Sequence, residues 1–146
     1  MSQYFTLEEA NAALETLAPL LRQAVALKSA YAQSETRLQG MAQRVTVAGG
    51  SQLNPTEWLQ LRARRDAAAA RLQELLEQVQ SHGCLVKDLE VGLLDFPTLY
   101  HGQEVYLCFR LGEDRISYWH GVSEGFRGRK PIDEEFIANH NGGRRQ

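Results

Sequence analysis

Cysteine is scarce in this 146-residue chain: Cys84 and Cys108 are the only two, and they are not spaced as CxxC. That spacing excludes a zinc knuckle, a dithiol redox motif and a disulfide-dense scaffold. The two cysteines read as reduced, partly buried small apolar residues at strand positions, or as one bridge between neighbouring strands in an oxidising compartment. No apolar run approaches the roughly 20 residues needed to span a bilayer. The start, Met1 to Leu14, lacks the basic residues and long apolar run of a secretory signal. Neither half is basic: residues 1–82 carry eight Lys/Arg and eight Asp/Glu, and residues 83–146 carry eight and ten. The electrostatic footprint of a duplex-binding protein is therefore missing. Two small clusters, Arg62-Arg64-Arg65 and Arg144-Arg145, read as helix surface and solubilising tail. HxH, HExxH and the phosphate-binding P-loop pattern are absent as well. Nucleophilic catalysis has little support, because Ser117 and His120 fall on opposite faces of a strand and neither cysteine opens a helix. These absences point to a cytoplasmic protein without membrane or nucleic-acid partners.

What the chain does have is a sharp change of period at Gly83. Before it lie two heptad helices. Thr6 as N-cap with Glu9 three residues on forms a capping box, and Phe5 is placed to staple onto Ala10. Apolar residues then recur at Leu7, Ala10, Leu14, Leu17, Leu21, Ala24, Tyr31, Leu38 and Val45. Pro19 lies inside the pattern and predicts a kink rather than a break, since the register runs through it. Val47 to Ser51, with two glycines, is the turn. Asn54-Pro55-Thr56-Glu57 opens the second helix, with Asn as N-cap and Pro at the first helical position. Its seam is Trp58, Leu61, Arg65, Ala68, Leu72, Leu75, Val79 and His82, closed by Gly83 in the left-handed region. The two should form a long antiparallel, coiled-coil-like hairpin. Arg65 at a seam position predicts an ion pair with Glu35 across it. Leu20, Val25, Leu27, Leu59 and Leu76 beside the seams leave apolar surface for a sheet or a second copy.

After Gly83 the period is two. Strands are predicted over Val91 to Thr98, Glu104 to Leu111 and Ile116 to His120, with Cys84 to Lys87 as a fourth. His101-Gly102 and Gly112-Glu113-Asp114 are the turns. Val105, Leu107 and Phe109 face one way, with Tyr106, Cys108 and Arg110 the other. Ile116, Tyr118 and His120 share a face. Asp133 to Ala138 is read as one helical turn. The fold class is α+β: a helical hairpin (6–83) followed by a three- to four-stranded antiparallel meander and a Gly/Arg loop (84–138). Together they make one domain over 1–138, with 139–146 as a disordered tail.

Several stretches carry a resemblance: Lys87-Asp88, Gly92-Leu93-Leu94-Asp95-Phe96-Pro97, Val105-Tyr106-Leu107-Cys108, Leu111-Gly112-Glu113, Trp119-His120 and Gly125-Phe126-x-Gly128-Arg129. With the opening Phe-Thr-Leu-Glu-Glu-Ala-Asn, they resemble the bacterial family catalogued as domain of unknown function 2203. The usual pattern there has Trp where this chain has Phe109. The resemblance implies a single domain in a bacterial cytosol and carries over no catalytic residue.

Two constellations carry chemistry. Asp95 lies in an apolar run, where a carboxylate is costly unless paired. With Glu113 and His120 it forms a candidate divalent-metal set with open positions. Gly125 to Arg129 is a candidate anion loop in which Arg127 and Arg129 grip a phosphate or carboxylate. The structural alternative is that Arg129 clamps Asp95 or Glu113. Two functions follow. The first is an interaction or scaffold module that dimerises through its helices and binds a protein partner. The second is a metal- or anion-binding protein with its site on the sheet. No cofactor other than a divalent metal is called for, and no catalytic residue emerges.

Overall fold

A computed structural model describes residues 3–47, 49 and 54–143. Of the turn expected over Val47 to Ser51 only Val47, the last residue of the first helix, and Gly49 are described, and the Arg144-Arg145 tail lies outside the described residues. Helix α1 runs unbroken over Leu7–Val47 with Pro19 inside it. It opens with the capping box: Glu9 N–H donates to Thr6 Oγ1 and Thr6 N–H to Glu9 Oε1. Helix α2, Pro55–Gln80, starts on Asn54, whose side chain accepts from Glu57 N–H. Three residues after it, Gly83 turns the chain with φ +98°.

The two helices pair along Leu17, Leu21, Ala24 and Leu38 of α1 and Leu61, Ala68, Leu75 and Val79 of α2, all buried. Arg65 bonds Glu35 at 2.8 Å across the seam, as its position predicts. Further along, Met41 is buried where the heptad places Val45, and Tyr31 is exposed. A straight helix drifts about 20° per heptad away from a 3.5-residue repeat, so a seam read by heptads slides off its face.

The sheet is antiparallel: β1 (Leu85–Asp88), β2 (Leu93–Tyr100), β3 (Gln103–Arg110), β4 (Tyr118–Gly121), β5 (Lys130–Pro131), with β6 (His140–Asn141) pairing β2. It is wider than the expected meander by two short strands. Phe136, on the short helix α3 (Glu134–Asn139), is fully buried against Tyr100 and Trp119. His140 follows it, and its Nε2 accepts the Leu7 N–H at 3.0 Å. The segment expected to be a tail from Asn139 is thus strand-paired through Asn141 and tied to the start of α1.

Strand alternation sorts the sheet into two faces. Leu94, Phe96, Val105, Leu107 and Phe109 point inward and merge with Phe5, Leu14, Leu17, Leu21 and Val79 into the main core. Ile116 joins them, so it does not share the face of Tyr118 and His120 as expected. The regular strand begins only at Tyr118, and the irregular residues before it lose the alternation. Asp95, Cys108 and His120 belong to the opposite, outward face.

Candidate metal centre

Register builds the site. The two-residue turn His101-Gly102 has φ +51° and +77°, both left-handed, as a tight hairpin of the primed kind requires. It pairs Tyr100 with Gln103 and, five residues back on each strand, Asp95 with Cys108. On the next strand His120 pairs Tyr106, one row along the same face. Three adjacent strands therefore place a carboxylate, a thiol and an imidazole together, with donor atoms all within 4.8 Å of one another. All three are buried: Asp95 is 2% exposed, Cys108 1% and His120 4%.

The histidine ring is held at both nitrogens. Nδ1 lies 2.9 Å from the Gly121 carbonyl oxygen, and Nε2 lies 3.0 Å from each oxygen of Asp95. The Gly121 carbonyl and an Asp95 carboxylate can only accept, an arrangement that favours a proton on each nitrogen, the imidazolium, in the metal-free protein. Its pKa is pushed up to about 10, first by the bond to Asp95 and then by that to Cys108, with burial opposing. The Tyr106 ring packs 5.6 Å from the imidazole. Tyr106 and Tyr4 both donate to Glu104.

A cavity of about 340 Å³ opens over these residues, walled by Lys87 and Asp88 on one side and Val122, Glu124, Gly125 and Phe126 on the other. Glu124 is engaged: it accepts from Gly121 N–H at 2.8 Å and from Lys130 Nζ at 2.6 Å. These contacts hold its carboxyl below the ordinary range.

Glu113, expected beside Asp95 and His120, stands elsewhere. Both its oxygens accept from Arg129 Nη2, at 2.8 and 2.9 Å, and Oε1 also accepts the Arg110 N–H. Arg129 thus clamps Glu113 rather than Asp95. Its guanidinium lies 4.2 Å from the centre of the Tyr118 ring and 4.7 Å from that of Phe126, and reaches the Cys108 carbonyl. Arg127 is exposed on the short 3-10 turn Phe126–Gly128. The Gly121 to Gly128 loop is closed around a carboxylate of its own: a Cβ on Gly121 or Gly128 would come within 2.9 or 2.8 Å of Glu124 atoms. The second cysteine, Cys84, precedes Leu85, the partner of Asp95 across β1 and β2, but its side chain belongs to the main core and not to the centre. It donates to the Val79 carbonyl just ahead of β1, and burial pushes its thiol up to about 11.

Cys108 is the member of the centre that sequence reading missed. The signal was present: a two-residue turn at His101-Gly102 fixes the Asp95–Cys108 pairing by counting.

One family model, described as "Uncharacterized conserved protein (DUF2203)", matches residues 3–132. No curated protein and no solved structure matches the chain.

Proposed function

We propose, for a chain that belongs to the DUF2203 family, that Asp95, Cys108 and His120 bind a divalent metal ion of the zinc class. The observation that carries this reading is the convergence of one oxygen, one sulfur and one nitrogen donor from three neighbouring strands within 4.8 Å. Tetrahedral zinc at about 2.0–2.3 Å from each ligand sets neighbouring ligand atoms roughly 3.3–3.8 Å apart, a small contraction from that spread. A mixed sulfur, nitrogen and oxygen set favours zinc, or cobalt in its place, over magnesium or calcium. The Nδ1–H bond to the Gly121 carbonyl is the outer support that metal-bound histidines use to aim the other nitrogen at the ion. Three protein ligands leave a fourth position, and the cavity of about 340 Å³ adjoins it. That is the coordination of sites where zinc meets a water or a ligand rather than of closed structural sites. Binding takes the protons of His120 Nε2 and of the thiol, so the ion replaces the Asp95–His120 bond. A thiol ligand needs a reducing compartment, which agrees with a cytoplasmic location. Among the described residues no helix is long and apolar enough to cross a membrane.

Calorimetry with zinc at pH 7.5 tests the reading. Binding at one site per chain, tighter than about 10 µM, is expected, since a folded three-ligand site should hold zinc well. Cys108→Ser and His120→Ala should each weaken it at least tenfold, as loss of a ligand does, while Glu113→Gln leaves it unchanged. Equal binding by the wild type and His120→Ala would remove the centre from consideration.

The helical hairpin supports a second reading, an interaction module. Beyond Ala24 the hairpin is held by a separate small cluster of Leu38, Met41 and Leu61 with Trp58, and Leu59 beside it is 61% exposed. Such a surface suits a second copy of the chain or another helix.

A further inference from the structure

The walls of the cavity over Asp95, Cys108 and His120 are chemically uneven. Two of the acidic residues around it are already satisfied. Asp88 accepts from Glu90 N–H at 2.7 Å and Val91 N–H at 3.4 Å within its own turn, and Glu124 is held by Lys130 and Gly121. The remaining charge at the rim is Lys87. Its ammonium stands 5.3 Å from the centre of the Tyr106 ring, and the ion pairs among the described residues engage other cations. Opposite it the lining side chains are apolar; the Arg110 guanidinium stands 5.7 Å from the Phe126 ring but does not line the cavity. Val122 is 55% exposed and Phe126 38%, and Leu93 continues the wall inward. Two large apolar side chains left in water on one side of a concave site, facing one uncommitted cation, describe a ligand with a negative head and an apolar body.

Resting on the metal reading above, we propose that this cavity binds a small monocarboxylate with an aromatic-sized apolar tail. The carboxylate goes to the metal's fourth position and to Lys87; the tail lies against Val122 and Phe126. With aspartate and thiolate as ligands, a doubly charged ion is neutralised at the centre. Lys87 then sets the sign that the cavity prefers. The volume is at the small end for ligand sites, which favours a free acid over the end of a polypeptide, although both carry the same carboxylate.

The full chain loaded with cobalt(II) reports both events in its visible absorption, first ion uptake and then any change at the fourth position. Titration with 3-phenylpropionate should shift the bands saturably, whereas its neutral amide should not. Lys87→Met should weaken the acid about fivefold or more while leaving cobalt uptake unchanged, the size expected of one charge at a rim. Phe126→Ala should weaken 3-phenylpropionate but not acetate. A tripeptide ending in phenylalanine should bind less well than the free acid; tighter binding would overturn the small-acid assignment. An equal response to acid and amide, or cobalt uptake with no response to either, would overturn the ligand and leave the metal centre standing. Failure of the wild type to take up cobalt would overturn both.

Discussion

At the middle of this protein's outward sheet face His120 Nε2 stands 3.0 Å from each oxygen of Asp95, a bond that favours the protonated ring. Its effect on stability has a definite sign. The folded-state pKa of His120, about 10, lies above the 6.5 of an unfolded histidine, so the bond stabilises fully below about pH 6.5 and is lost as pH rises toward 10. With chelator present, the melting midpoint should fall steadily between pH 7 and 9, and His120→Gln should flatten that fall. Above pH 9 the buried Cys84 thiol adds a loss of its own, because an unfolded thiol ionises there and the folded one resists up to about 11. A midpoint that is level from pH 7 to 9 in the wild type would contradict the imidazolium. Arg129 is the other residue whose surroundings set a prediction. Its side chain is 12% exposed, bonded to Glu113 and stacked on two rings, while its Nε is buried without a partner. Arg129→Ala should cost about 1–3 kcal/mol, less than for a fully buried pair because Glu113 is 23% exposed. Urea unfolding measures it. Glu113→Gln in the Arg129→Ala background should add little.

Among the elements, the β1–β2 connection depends on backbone freedom at one residue. Gly92 has φ +75°, and a Cβ there would stand 2.8 Å from Leu111 Cβ, while its carbonyl accepts the Leu111 N–H. Gly92→Ala should therefore destabilise by about 2 kcal/mol or more, combining the left-handed penalty with a clash against Leu111, the residue just after β3. The hairpin divides into two parts of unequal strength. Its lower half shares the main core with the sheet through Leu14, Leu17, Leu21 and Val79, whereas its distal half has the small cluster around Leu61. Leu17→Ala should cost about 3 kcal/mol and lower the global midpoint. Leu61→Ala should instead speed hydrogen exchange over the distal turns of both helices, with a smaller effect on the midpoint. Equal loss of protection throughout the chain in both variants would show that the hairpin unfolds as one piece.

At the scale of the whole molecule, the apolar residues beside the heptad seams are divided between uses. Leu20 packs on the main core, Val25 lies near Gly92 and Leu111, and Leu76 lines a groove with Val86 and Leu89. The sheet therefore takes most of the surplus that suggested a dimer, and a homodimer through the hairpin has to be built on its distal half, around Leu59 and Tyr31. A stable interface needs about 800 Å² from each partner. Light scattering at tens of micromolar should then give a dimer mass that Leu59→Glu reduces to that of a monomer. A monomer mass in the wild type removes self-association and leaves the hairpin as a support for the sheet.

Periodicity by itself determined the helical hairpin, the Arg65–Glu35 pair, the three main strands and the inward set Val105, Leu107 and Phe109. Each is a local pattern of period 3.5 or 2, written in neighbouring residues and marked by caps such as Thr6 and Asn54. Asp95 was legible as a chemically costly residue, because a carboxylate in an apolar run must find a partner, and His120 as a candidate beside it on the same small sheet. Which partner it finds was decided by tertiary structure. Glu113 was read with Asp95 and His120 as a metal set, and Arg129 either as an anion ligand or as a clamp on Asp95 or Glu113; the turn after β3 carries Glu113 to Arg129 and away from the other two. Cys108 meets Asp95 because strand register sets the row. The strands at Lys130–Pro131 and His140–Asn141 were equally invisible, since two residues have no period. They exist because Phe136 needs a place against Tyr100 and Trp119, and His140 needs the open N–H of Leu7. The sequence near them states only the composition of a tail; long-range burial makes it part of the sheet.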